Sequence, residues 1–177
     1  MNALMTPGAV TLLVVLCSAT AYGTEPPVDV QADQAIKRVV IPDRETAAER
    51  HAANELVANI ALMTGQSVSV IKESAAAGND RGGRAINLGR MRSNLVRHKP
   101  DSWPTDTIFI GYGEGDIDIL GQGSQGTLFA TFEFLRDQGC RWYMPVTYHK
   151  LEVGRHIPKR ATLKLSGRPK KHSPSFP

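Results

Sequence analysis

The sequence predicts an α+β domain, a mixed sheet with two main helices packed on it. Three observations carry that expectation. Apolar residues recur at helical spacing over about Asp43 to Thr64 and again over about Gln125 to Gln138. Between these runs lie several short β-rich segments in succession, SVSVI, AINL and TIFI. Consecutive strands of that kind argue against a doubly wound nucleotide fold. The 177 residues are 41% hydrophobic and 21% charged, which supports one core of ordinary size.

The run Gln125 to Pro145, QGTLFATFEFLRDQGCRWYMP, organises the rest. Leu128, Phe129, Phe132 and Leu135 recur at helical spacing and define the expected apolar stripe. Gly139 stands where a helix stop takes a left-handed residue. Cys140 to Met144 then reads as a buried aromatic strand ended by Pro145. Three of the five Phe lie in this run, so it is the expected anchor of the core.

Earlier in the chain, Arg38 to Pro42 reads as a first strand. Helix one follows, with Asp43 as a cap and Thr46-Ala47-Ala48-Glu49 as a capping box just inside. Ala52, Ala53, Leu56, Val57, Ile60 and Met63 form its buried stripe, and Gly65 ends it. Ser67 to Ile71 alternates with period two and reads as a strand. Lys72 to Arg84 is loop by composition, and Ala85 to Leu88 is a short strand. Gly89 to Thr105 reads as irregular. Thr107 to Ile110 and the region of Ile117, Ile119 and Leu120 read as further strands.

Several motifs bear on chemistry. Gly121-Gln122-Gly123-Ser124-Gln125-Gly126 fits G-x-G-x-x-G before a helix. A dinucleotide site also needs an acidic residue about 20 positions on, and Val146 to His149 offers none, so a tight turn is the better reading. His51 and Glu55 are four apart, but a zinc helix needs two His at that spacing. A solvated pair follows, with no metal site and no cofactor. Asp116 and Asp118 alternate along one strand, while Glu114 and Glu133 have no evident partner. None forms the carboxylate pair a glycosidase places across a sugar, so no catalytic residue is assigned. Arg90, Arg92, Arg97 and Lys99 read as a solvated loop in preference to a site for an anionic sugar or phosphate.

Residues 1–23 read as a signal peptide. The apolar run Ala9 to Ala21 is shorter than the about 20 residues a membrane span needs. Ala19-Thr20-Ala21 and Ala21-Tyr22-Gly23 both present small residues to a signal peptidase, so cleavage is expected near Ala21 or Gly23. No Lys or Arg precedes the run, and Leu16 is too bulky for a lipoprotein site at Cys17. A secreted or periplasmic protein with no membrane span after cleavage is the expectation. Cys140 would then be the one cysteine left, a small core hydrophobe. Residues 24–35 read as a linker.

The other end is basic. Lys150 to His172 holds eight of the 21 Lys and Arg but one of the 17 acids, so the net charge of +4 belongs to the tail. The rest of the chain is net acidic and no nucleic-acid partner is expected. Ile157 to Leu165 reads as extended, and 166–177 as a linker.

The pattern G-T-L-F-A-x-x-E-F-L-x-x-x-G-C-R-W-Y-x-P resembles the last helix and strand of the N-terminal domain of alpha-glucuronidases and related glycoside hydrolase-like proteins. Ala52-Ala53-Asn54-Glu55-Leu56 with Met63-Thr64-Gly65 resembles that domain's first helix. The resemblance covers residues 36–165 and implies the non-catalytic α+β domain of beta-N-acetylhexosaminidases, their domain 2. It also implies a catalytic barrel following in cis, to which 166–177 would lead; a barrel needs about 250 residues of its own. A free-standing module bound to polysaccharide is the alternative. Arg141 and Tyr143 share one strand face by alternation, and the resemblance makes them candidate residues of the domain interface. The plainer role for Arg141 is to satisfy carbonyls at the end of the preceding helix.

Overall fold

The computed structural model describes residues 35–76, 83–113, 115–143, 154–160, 162–163, 165 and 167–173. The elements run β1 (Ile36–Ile41), α1 (Ala47–Thr64), β2 (Ser69–Lys72), α2 (Glu73–Ala76), β3 (Arg84–Leu88) and α3 (Arg92–His98). A 3-10 turn (Pro100–Ser102), β4 (Ile108–Tyr112), β5 (Ile117–Gly121), α4 (Gly126–Asp137), β6 (Arg141–Tyr143), β7 (Gly154–His156) and β8 (Lys170–His172) complete the described chain. The main sheet has order β2-β1-β3-β5-β4-β8. The first four strands in that order are parallel; β4 is antiparallel to β5, and β8 to β4. The α+β class and the mixed sheet are as the sequence predicts.

Alternation along the strands divides the residues between two unlike faces. Val39 and Ile41, Ile86 and Leu88, Ile108 and Ile110, Ile117 and Ile119 form one face. It is buried under Leu56, Ile60 and Met63 of α1 and Phe134 and Leu135 of α4. The other face has a much smaller apolar group, Val40, Ala85 and Met91. That asymmetry leaves one side of the sheet open and polar.

Helix α1 begins at Ala47, later than the expected start at Asp43. Thr46, not Asp43, is the cap: Glu49 N–H donates to Thr46 Oγ1 at 3.2 Å and Thr46 N–H donates to Glu49 Oε2 at 2.8 Å. Asp43 instead accepts from Ser74 N–H and Oγ, at 3.1 and 2.7 Å, tying α2 to the β1–α1 loop. Gly65 closes α1 in the left-handed region at φ 72°, a conformation that costs glycine nothing.

Helix α4 is turned relative to the expected stripe, of which Leu135 alone is buried as expected. Thr127, Ala130, Thr131, Phe134 and Leu135 are buried. Leu128 and Phe132 are only half-buried, and Phe129 is 47% exposed. Small Ala130 and Thr131 let the helix backbone lie close to its neighbours, and the Thr131 hydroxyl is satisfied by Thr127 O at 2.9 Å. Apolar residues occur on both sides of this helix, so periodicity alone does not select the buried one.

Four further segments differ from expectation, the first being Glu73–Ala76, which lies in the run read as loop and forms α2. Gly89 to Thr105 is not irregular: it contains α3, whose first N–H groups, on Arg92 and Ser93, donate to the Glu73 carboxylate at 2.9 and 3.0 Å. The cap comes from another element, so no local signature marks it. The aromatic strand is not buried: in β6, Trp142 is half-buried and Arg141 and Tyr143 are exposed, and β6 pairs only with β7 among the described strands. Met144 and Pro145 lie outside the described residues. Within 166–177, read as linker, Lys170–His172 forms β8 at the sheet edge, paired to β4.

Candidate functional site

The open face of the sheet carries a groove of about 970 Å³. Its floor is short-chained: Val40 from β1, Ala85 from β3 and Gly111 from β4. Met91, Ser93, Arg97 and His98, in and just before α3, line it as well, and Pro169 belongs to its lining too. The deepest polar group is Asp118, 6% exposed. Its Oδ1 accepts from Asn87 Nδ2 at 2.9 Å; its Oδ2 accepts from Arg97 Nη1 at 2.7 Å and lies 2.8 Å from His98 Nε2. Burial pushes the Asp118 carboxyl up. Hydrogen bonds from Asn87, His98 and Arg97, with the Arg97 charge, outweigh burial and hold it below the ordinary carboxylate value.

Asp116 lies beside it. Its Oδ1 accepts from Ala85 N–H at 3.1 Å, and its Oδ2 is 3.5 Å from the same Asn87 amide nitrogen, the outer limit of a hydrogen bond. Phe109 stacks at a tilt on His98, with ring centroids 4.4 Å apart, and meets Trp103 at 5.8 Å. A Cβ at position 111 would fall 2.6 Å from Phe109 Cε1, so the ring occupies the space a side chain there would need.

This cluster is partly legible in the sequence. Asp-Ile-Asp-Ile over 116–119 places both carboxylates on the face opposite the isoleucines. Their partners come from β3 and from a helix the sequence does not reveal, so Asn87 and His98 were missed. Of the four basic residues read as a solvated loop, Arg97 pairs with Asp118, while Arg90 donates to Gln122 Oε1 at 2.7 Å and pairs with Asp101. Both oxygens of Asp118 are engaged, which suits it to fixing α3 on the sheet more than to proton transfer.

The glycine motif does sit between a strand and a helix. A Cβ on Gly121 would lie 2.2 Å from the Gly126 carbonyl carbon, and one on Gly126 would lie 2.7 Å from that of Gly121. The two ends of the loop therefore touch. The strand after α4 is β6, outside the main sheet, so the parallel strand-helix-strand unit of a dinucleotide site is not formed here. Among the described residues no group of three or more His, Cys, Asp or Glu is placed to hold a metal ion, and no helix is long and apolar enough to cross a membrane.

Arg141 and Tyr143 lie away from the groove, on β6. Arg141 Nη1 donates to Arg136 O and Cys140 O, both at 2.7 Å, closing the end of α4. Tyr143 is 55% exposed. Cys140 is fully buried against Met63, Sγ to Sδ 3.7 Å, and burial pushes its thiol pKa up. Such a thiol is a poor nucleophile.

No family model and no curated protein matches the chain. A solved structure described as a GH138 enzyme targeting pectin rhamnogalacturonan II is a distant neighbour, with TM-score 0.39 and 12% identity over 67% of this chain. The match spans 11% of that enzyme's chain.

Proposed function

We propose that this chain is the non-catalytic N-terminal α+β domain of a secreted glycoside hydrolase-like protein, and that it supports a catalytic barrel following it in sequence. The observation that carries the reading is the run Gln125 to Pro145, with its resemblance to the alpha-glucuronidase N-terminal domain. The described part of this run has two sides. Phe134, Leu135 and Cys140 fill the core, whereas Phe129 is 47% and Tyr143 55% exposed. Exposed aromatics on a packed scaffold suit an intrachain domain contact. Arg141 serves the helix end and stands beside Tyr143 at that contact.

The test begins with the DNA beyond the Pro177 codon. A frame that continues into a barrel is expected; a frame that closes there removes the reading. Tyr143→Ala should leave this domain alone close to its original denaturant midpoint and loosen its pairing with the barrel in the longer protein; adding Arg141→Ala should cost the domain alone only about 1 kcal/mol, for the bonds at the end of α4. Unfolding of the domain alone would assign the pair to its own core. Secretion is tested separately: N-terminal sequencing of exported protein should find a start near Tyr22 or Thr24, and an intact Met1 on soluble protein would remove that part.

A further inference from the structure

We propose that the groove on the open sheet face is a binding site for a neutral saccharide. This site is separate from the Tyr143 surface and does not rest on the accessory-domain reading. Its volume of about 970 Å³ is at the upper end of the roughly 300–1,000 Å³ typical of small-ligand pockets. A sheet face that only meets water carries long charged side chains, and one that only packs carries branched apolar ones. This floor mixes the two: Arg38 and the branched Val40 stand on β1, and Ala85, Asn87 and Gly111 beside them are short or polar. Val40, Ala85 and Gly111 keep it deep, and the half-buried Phe109 ring lies beside Gly111. A flat apolar ring next to polar groups suits the C–H face of a sugar.

Charge selects a neutral ligand. Glu73, Asp116 and Asp118 are interleaved in the groove with Arg38, Arg97 and His98. The carboxylates are already occupied: Glu73 caps α3, Asp116 takes Ala85 N–H, and Asp118 takes Asn87 and Arg97. An anion would meet three carboxylates, and a cation would meet guanidinium groups. Neither sign gains from the field.

The hydrogen-bonding capacity left over is of both kinds. Two carboxylates that only accept orient the Asn87 amide, so its Nδ2 faces them. Its Oδ1 is turned away, and no protein donor among the described residues reaches it. Arg97 is held to Asp118 through Nη1, leaving its other N–H groups as donors, and the Ser93 hydroxyl is unengaged among the described residues. An amide acceptor, a guanidinium edge and a hydroxyl match groups that donate and accept at once, as sugar hydroxyls do. Asp118 is a positioning residue here: it orients Asn87 and Arg97 and is itself too buried to reach a ligand freely.

The experiment is a titration of the isotope-labelled chain, followed by NMR, with xylotriose, cellotriose and mannotriose, and with trigalacturonate as the charged comparison. At least one neutral trimer should give saturable shifts at the Asn87 side-chain amide and at the Ser93 and Gly111 backbone amides, insensitive to salt. Asn87→Ala should abolish the shifts at Ser93 and Gly111. Arg97→Gln and Ser93→Ala, at exposed positions, should weaken them with the dispersion of a folded spectrum retained. The proposal is overturned if no neutral trimer shifts these resonances, if only trigalacturonate does so and the effect fades with salt, or if the shifts survive both Asn87→Ala and Arg97→Gln. None of these results bears on whether a barrel follows the domain.

Discussion

Phe132 and Trp142 meet edge to face, with ring centroids 5.0 Å apart and planes at 90°. This contact lies at the flank of α4, beside the core and not within it. It joins the β6 ribbon to the helix, alongside the bond from Arg141 Nη1 to Arg136 O. An edge pair of this kind contributes about 0.5–1.5 kcal/mol beyond the area it buries.

Phe132→Ala should therefore destabilise the domain much less than Phe134→Ala. Phe134 is 0% exposed, and truncation of a fully buried Phe costs about 3–5 kcal/mol. Denaturant midpoints of the two variants give the comparison. Equal losses would mean that α4 is turned the other way.

Asp118→Asn should lower stability at neutral pH by about 1–3 kcal/mol, from the loss of charge-assisted hydrogen bonds to Arg97 and His98. The pH dependence has a definite sign. The folded-state pKa of Asp118 is depressed below its ordinary 3.8, so its stabilisation is present above that value and is lost as pH falls through the folded pKa. The gap between wild type and variant should narrow in strong acid. A gap that held constant into strong acid would show that the carboxylate charge contributes nothing.

Thr46→Ala should cost about 1 kcal/mol through loss of the helix cap, and Thr46→Ser should restore most of it. Glu49→Ala should cost more than Thr46→Ala, because the Glu49 carboxylate accepts from Thr46 N–H and also from Arg90 N–H, both at 2.8 Å. Two backbone donors would be left without a partner. Thermal melts of the three variants check the order.

Gly121→Ala should be poorly tolerated, since the new methyl would meet backbone of Gly126 that has no side-chain freedom to give. Overpacking of this sort costs about 1–3 kcal/mol, sometimes more. Gly115→Ala is the control, because nothing lies within 4 Å of a Cβ there. Soluble yield and melting temperature should separate the pair clearly.

What the sequence disclosed and what it hid follow from where the signals reside. The α1 capping box is local to Thr46 and Glu49, and the inner strand residues, such as Val39 and Ile41, announce themselves by apolar character. The cap of α3 is remote: it belongs to Glu73. The facing of α4 is ambiguous because Phe129, Phe132 and Phe134 offer more aromatic surface than the core takes in. Lys170–His172 has the composition of a linker and becomes a strand only because β4 offers it an edge. The Asp118 cluster joins β3, α3 and β5, so only its carboxylate half could be read in advance.

The two ends of the main sheet differ in how they would meet another molecule of the same kind. Strand β8 presents Lys170, Lys171 and His172, all exposed, with Lys171 Nζ 4.4 Å from the Trp103 ring centroid and Lys170 paired to Asp137. Two lysines on the edge, one of them unpaired by any acid among the described residues, guard against edge-to-edge polymerisation. At the opposite border, β2 offers Ser69 and a 41% exposed Val70, and its one cation, Lys72, is drawn back onto Glu45. If the protein aggregates under stress, growth should start at the β2 border, and a lysine placed at Val70 is the change that would slow it.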